Sequence, residues 1–308
     1  MVHIERMKVK GKQYYKLVHT FRRKGKVAHQ SRYLGKQLPS RKRLERLKQE
    51  FFKKVALGKY HYLSSEETEA IEQHKKAYQQ ELLRISPMER EKKLKEFLIR
   101  FTYDSSKLSG VAVTLRQTSL ILKEGIMPKD IKDLRTVKEL ENHQKGAMMI
   151  TTYKGKFDLK FMKKLHRILF AGIDNLIAGK TREELKRNVK IAGTTYVPPQ
   201  WQKVKNELAH FFSWYAAEKN NLHPLELAAF VHLRIISLQL FVDGNSRLSR
   251  LLMNWILWKK KYPPVDIPIE DLENYYAVLD NYQIERNEKP FMEYIKKKFL
   301  GTDSFRNT

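Results

Sequence analysis

Between Phe241 and Arg250 the chain reads Phe-Val-Asp-Gly-Asn-Ser-Arg-Leu-Ser-Arg, and these residue types suit the binding of an anion. Asp243-Gly244-Asn245 is a turn signal. Behind it Leu248, Leu251, Leu252 and Trp255 fall at i, i+3, i+4 and i+7, one apolar face of a helix. The turn therefore feeds a helix N-terminus, with Arg247 and Arg250 three residues apart on a shared face. The positive end of the helix dipole already lies there, so two added guanidinium groups ask for negative charge. Backbone N–H groups at the helix start, Asn245 and the two arginines make a cradle suited to a di- or triphosphate. Asp243 offers an oxygen ligand to a Mg²⁺ that bridges phosphates. The alternative is a capped helix whose arginines pair with acids elsewhere in the fold, and spacing alone weighs the two equally.

The elements that must position this turn are mostly helical. Helical periods run over roughly 114–124, 136–153, 157–178, 200–218, 224–240, 246–261, 268–285 and 289–300, after earlier helices from Ser40 to about Ala56, Ser64 to about Arg84, and Pro87 to Phe101. Residues 12–35 alternate as strand, turn and strand about Arg23-Lys24-Gly25-Lys26, and Gly58 closes the helix that follows. A second, short hairpin is expected over Val189–Val197, which is β-branched and turns at glycine. The fold class is mostly α, with a basic β-hairpin plus helix unit in front. The 308 residues are 42% hydrophobic, enough to build a core, which excludes global disorder. Absence of cysteine excludes disulfide scaffolds, thiol nucleophiles and thiolate metal sites. With no spanning apolar run and a start that alternates charge and apolarity, a soluble cytoplasmic protein is expected, with no membrane partner. Lys+Arg number 61 against 34 Asp+Glu, a net of +27; the first 60 residues hold 19 of the former and 3 of the latter, a net of +16. Such a patch either meets nucleic acid or is a solvated face.

The 241–250 stretch resembles the signature of the Fic (Fido) family, H-P-F-x-D/E-G-N-G-R-x-x-R, whose members typically transfer AMP from ATP to a hydroxyl side chain of a target protein. The likeness extends to Gly179–Arg182 and Arg187–Ile191 before a hairpin flap, Leu222–His232 before the motif, Tyr262-Pro263-Pro264 and Asn274-Tyr275-Tyr276 after it, and Lys289-Pro290-Phe291 at the close. It covers roughly residues 95–300. It implies a Fic-type helical domain, ATP and Mg²⁺ as cofactors, phosphate contacts from Gly244, Asn245, Ser246, Arg247 and Arg250, and metal binding by Asp243. It further implies an adenine pocket at Tyr275 and Tyr276, and a flap at Lys190, Ile191, Ala192 and Gly193 that holds a target protein by strand addition.

Departures from the family pattern bear on activity. The catalytic histidine falls at Gln239, the proline at Leu240 and the second motif glycine at Ser246. An amide has no useful pKa and orients groups only by hydrogen bonding, and loss of a general base costs about 10²–10⁴-fold in rate. His232, seven residues upstream on the same helix, is expected to be a packed core histidine. Ser246 can cap the helix, but its Cβ crowds a phosphate that had approached a glycine backbone. Ser105–Gly110 matches the family's inhibitory frame with Ser109 at the glutamate position; a serine cannot form the inhibitory ion pair, so Arg250 is expected to be left free for a nucleotide.

Three readings follow. The first is a Fic-like protein that binds Mg-ATP and transfers AMP weakly or not at all. The second is an active nucleotidyl or phosphoryl transferase using another deprotonation route. The third is a non-enzymatic scaffold or nucleic-acid-binding protein that uses the basic N-terminal unit. The expected organisation is a basic unit over 1–60, a helical region with the degenerate inhibitory segment over 61–156, the Fic-like core over 157–300 and a tail over 301–308.

Overall fold

Alternation of charged and apolar residues at the start of the chain resolves as a strand, one more than the two expected. The computed structural model describes residues 2–9, 12–23, 26–57 and 62–301. They form two units, residues 1–70 and 71–308. In the first, β1 (Val2–Val9), β2 (Lys12–Arg23) and β3 (Lys26–Gly35) make an antiparallel sheet in the order β1-β2-β3. Ile4 pairs with Leu17, and Leu17 with Arg32, so these residues share one face. That face is covered by α1 (Arg41–Leu57), whose Leu44, Leu47 and Phe51 repeat at helical spacing. Leu17 and Phe51 are the buried pair, and Ile4 and Leu34 pack against them. Arg32 reaches Glu50 of α1 at 3.3 Å. The expected turn residues Lys24 and Gly25, the stop at Gly58 and all of the tail except Gly301 lie outside the described residues.

The second unit is helical. The division between units falls within α2 (Ser65–Arg84). A capping box of Ser86 and Glu89 with Pro87 at the first position opens α3 (Pro87–Lys107), which runs past the expected stop at Phe101. The 114–124 stretch splits into α4 (Leu115–Ser119) and a π-helical turn (Leu120–Glu124) closed by left-handed Gly125. Then follow α5 (Leu134–Thr152), α6 (Leu159–Leu169), α7 (Arg182–Leu185), α8 (Trp201–Glu218), α9 (Pro224–Leu238), α10 (Asn245–Lys259), a 3₁₀ turn (Ile269–Asp271), α11 (Leu272–Glu285) and α12 (Lys289–Gly301). The helix expected over 157–178 ends at Leu169, and turns occupy the remainder. Nearly every residue of α9 is buried, and α10 packs along it with α5, α3 and α6 around the pair. Trp255 of α10 anchors this core among Tyr153, Phe157 and Phe161, its Nε1 donating to Tyr153 O at 3.1 Å. Among the described residues no helix is long and apolar enough to cross a membrane.

The expected hairpin over 189–197 is present only as a turn. Gly193 takes the left-handed φ of 79° it needs, but no strand ladder forms. An isolated two-stranded ribbon is marginal in water, and this segment instead bonds to helices. Thr194 Oγ1 donates to Asp280 Oδ1 at 2.7 Å, and Tyr196 OH to Ser237 O at 2.9 Å.

Candidate functional site

The helix α9 stops because Gln239 turns left-handed, with φ 49°, a conformation uncommon outside glycine. A helix end leaves carbonyls without partners, and here a buried arginine takes them. Arg182 donates from Nε to Gln239 O, and from Nη2 to Leu238 O at 3.2 Å and Pro199 O at 2.8 Å; its own N–H reaches Leu240 O at 3.0 Å. Its side chain ties the end of α9, the motif turn and the 187–200 segment together. The Gly179–Arg182 likeness marked this arginine, but nothing in the sequence assigned it that task.

A second positioning group, His166 on α6, was not singled out by sequence. Its Nδ1 accepts from the Gly179 N–H at 2.9 Å, so Nε2 carries the proton and donates to Asp243 O at 3.0 Å. The ring stacks on Phe241 at 3.8 Å and Phe170 at 4.6 Å. Burial draws its pKa down to about 4, so it is neutral and works as an orienting group. Phe170 also explains Gly244. That residue has φ 76°, and a Cβ there would sit 2.5 Å from the Phe170 ring. The glycine is thus required by packing and backbone conformation.

Within the turn, two expectations change. Asn245 does not face an anion: it is 3% exposed, accepts from Phe241 N at 2.9 Å and donates to Phe241 O at 2.8 Å and Gln239 Oε1 at 2.9 Å. It shapes the loop from within. Ser246 does not cap the helix, since Gly244 is the N-cap and no side chain bonds there; its Oγ accepts from Arg250 Nη1 at 2.9 Å. Gln239 has both ends of its amide engaged, Nε2 donating to Ile236 O at 2.7 Å.

The two arginines divide between the alternatives left open by sequence. Arg247 pairs with acids, Glu139 of α5 and Asp243, each at 3.8 Å. Those separations are too long for hydrogen bonds, and its buried Nε and Nη1 have no hydrogen-bond partner. Burial lowers its pKa, against the pull of Asp243 and Glu139. Arg250 is 1% exposed, and among the described residues no carboxylate lies within 4 Å of it.

Arg250 is nevertheless not free, which corrects the expectation drawn from Ser109. Its Nε donates to Ser105 Oγ at 2.9 Å, and its Nη2 to Ser105 O at 2.6 Å and Ser109 Oγ at 2.8 Å. The serine lacks the charge for an ion pair but keeps the contact, because α3 still delivers its last turn to the arginine.

Tyr275 is likewise no base-stacking surface. It is wholly buried, its hydroxyl 3.5 Å from Arg250 Nη1 and 3.0 Å from His232 Nε2. His232 is the core histidine expected, stacked on Phe291 at 5.0 Å, its pKa held to about 3 by burial and the nearby Arg250 charge. Tyr276 is 44% exposed, with its hydroxyl on Leu108 O at 2.8 Å. Lys190, Ala192 and Gly193 are exposed and Ile191 half-buried.

The donor set fits an anion: unpartnered N–H groups on Arg247, an uncompensated charge on Arg250, and a helix start without a side-chain cap. For a divalent cation the chain supplies little more than Asp243. No group of three or more His, Asp or Glu is placed to hold a metal among the described residues, so phosphate and water would have to complete the shell.

Residues 156–257 match the Fic/DOC family. Over 204 residues the chain is 30% identical to the protein adenylyltransferase Fic of Drosophila grimshawi, covering 65% of this chain and 41% of that protein. With that of Drosophila mojavensis it is 31% identical, covering 65% and 39%. The chain thus spans about two fifths of the length of these curated relatives. A Fic-domain-containing signalling protein from Bacteroides thetaiotaomicron superposes with a TM-score of 0.66 at 25% identity, over 75% of this chain and 92% of that one. Fic-1 (residues 134–508) from C. elegans shares the fold, with a TM-score of 0.63 at 22% identity over 84% and 72%. The motif turn, the helices that carry it and these likenesses agree: the chain is a Fic (Fido) domain protein.

Proposed function

We propose that the start of α10 binds a nucleoside triphosphate, ATP with Mg²⁺, and that the protein is a Fic adenylyltransferase whose transfer step is weak or lost. The observation that carries this reading is the contrast between two sets of groups. Arg247 keeps unpartnered N–H groups and Arg250 is met only by neutral acceptors, while the residue at the family's base position is an amide with both ends engaged. When bound, the nucleotide would supply the α-phosphorus that a target hydroxyl attacks, with pyrophosphate as the leaving group. The chain's part is to hold the phosphates at Arg247, Arg250 and the α10 N–H groups, and to fix the turn through Arg182, His166 and Asn245. At Gln239 no atom takes a proton near neutral pH. Tyr276 is the exposed ring left for the adenine, and residues 190–193 remain the segment for a target polypeptide.

Calorimetric titration of the unmodified protein with Mg-ATP tests the site. Saturable binding, abolished in Arg250→Ala, is expected; no binding by the unmodified protein overturns the reading.

A second reading concerns the basic unit, because residues 1–70 fold as a unit of their own and the net of +16 falls within its first 60 residues. We infer contact with nucleic-acid phosphates. The logarithm of its binding constant should fall linearly with log salt, with a slope of about −0.9 per phosphate neutralised in duplex DNA. Binding that is insensitive to salt removes this reading.

A further inference from the structure

A cavity of about 370 Å³ opens among α8, α9 and the C-terminal end of α11, with the outgoing half of the 187–200 segment as a further wall. That volume lies at the low end of ligand pockets, about 300–1,000 Å³, and gives room for one large side chain. Its lining includes the rings of Tyr196, Phe211, Trp214 and Tyr282, with the exposed residues Glu207 and His210 on α8. Arg234 lies over Trp214 at 4.2 Å; its Nη2 is held by Glu288 at 2.8 Å and its Nη1 by Tyr282 OH at 3.3 Å. Its buried Nε has no partner, nor has Oγ of Ser237, a residue 3% exposed on the same face of α9. Arginine has no acceptor atom, so that Nε–H calls for an acceptor from outside the described chain, which a ligand oxygen can supply. At the rim, Arg286 is exposed, 5.8 Å from the Tyr196 and Tyr282 rings. The cavity shares the last turn of α9 with the motif, since Ser237 stands two residues before Gln239 and its carbonyl is bonded by Tyr196.

We propose that this cavity is a specificity pocket for the target polypeptide, receiving a tyrosine side chain that lies near the hydroxyl presented to the motif turn. The inference rests on the preceding reading that a target segment runs along residues 190–193, for such a segment would continue past Tyr196 and across the cavity mouth. A tyrosine ring packs edge-to-face or offset against the aromatic walls. Its phenol oxygen accepts from Arg234 Nε and exchanges a hydrogen bond with Ser237 Oγ. Phenylalanine would fill the same space but leave both groups unpaired, and a site built to hydrogen-bond a hydroxyl discriminates strongly against the analogue lacking it.

The test is an NMR titration of the full-length ¹⁵N-labelled protein, without nucleotide, following the Trp214 indole and Arg234 Nε–H signals. The probes are N-acetyltyrosinamide, N-acetylphenylalaninamide and adenosine at millimolar concentration. The tyrosine probe is expected to shift both signals and the phenylalanine probe to bind about tenfold more weakly, the loss of one to two hydrogen bonds. Ser237→Ala and Arg286→Ala should each weaken the tyrosine probe several-fold, with the melting temperature unchanged. Absence of shifts at Trp214 and Arg234, equal binding of the phenylalanine probe, or tighter binding of adenosine overturns the proposal. Neither transfer nor ATP binding is read, so the two readings fail separately. Probe binding without Mg-ATP binding removes the nucleotide site alone; Mg-ATP binding without probe binding removes the pocket alone.

Discussion

Arg250 holds its charge in the interior against neutral acceptors only: the hydroxyl and carbonyl of Ser105 in α3, the hydroxyl of Ser109 in the turn after it, Ser246 of its own helix, and Tyr275. Buried charges are normally paired, so an anion is the stronger complement. Replacing Ser109 with glutamate brings a carboxylate within reach of the guanidinium whose Nη2 Ser109 Oγ now meets at 2.8 Å. A charge-assisted bond there is worth about 1.5–3 kcal/mol, and Ser109→Glu is expected to weaken Mg-ATP binding about 10–100-fold by calorimetry. Unchanged affinity would mean that the nucleotide does not use Arg250. The complementary change is Gln239→His, which puts a group able to take a proton at this position. Incorporation of labelled AMP into target or self should rise about 10²–10⁴-fold. A variant that binds nucleotide and labels nothing would show that more than the base is missing.

The turn between α9 and α10 keeps its shape through groups on other elements. His166→Phe preserves the stack between Phe170 and Phe241 but removes both hydrogen bonds, leaving Gly179 N–H and Asp243 O without their partner. Each buried group so orphaned costs about 1–3 kcal/mol, so the variant should unfold at visibly lower denaturant and lose Mg-ATP affinity. Gly244→Ala tests packing at the same turn. Its Cβ meets the Phe170 ring at 2.5 Å, for which overpacking costs about 1–3 kcal/mol, and the left-handed backbone adds about 1 kcal/mol. A melting temperature equal to that of the unmodified protein would contradict that account.

Across the second unit, buried ionisable groups set opposing pH dependences. His166 and His232, with pKa values drawn to about 4 and about 3, and His143, lowered by burial and the charges of Arg250 and Arg247, are neutral when folded. A depressed folded-state pKa gives stability that is complete above the unfolded value near 6.5 and lost as pH falls toward the folded values. Asp266 runs the other way. Burial and the neighbouring Asp104 carboxylate raise its pKa well above 3.8, so its contribution is complete below 3.8 and lost as pH rises through the raised value. Asp266→Asn keeps the shape without the ionisation. It should flatten the loss of stability that sets in as pH rises above 3.8 while leaving the His-dependent loss below pH 6.5 in place; an unaltered profile would place the titration elsewhere.

Local sequence determined the turn and the helix behind it, because Asp243-Gly244 and the Leu248, Leu251, Leu252, Trp255 face are short-range signals. It likewise showed an amide at position 239 of the motif, the concentration of charge in the first 60 residues and the order of the helices. What required the tertiary structure were the relations across long chain separations. Ser105 meets Arg250 across 145 residues, Arg182 closes the end of α9 across 57, and His166 reaches Asp243 across 77. Ser109, where the family resemblance led one to expect a glutamate, reads as an absent contact when only its charge is considered; the packing at the end of α3 decides that the contact stays. Tyr275 illustrates the same limit, since spacing places it on a helix but cannot say which face is buried against Arg250 and His232. Short-range periodicity is written in neighbouring residues, whereas the partner of a buried polar group is chosen by the three-dimensional packing that surrounds it.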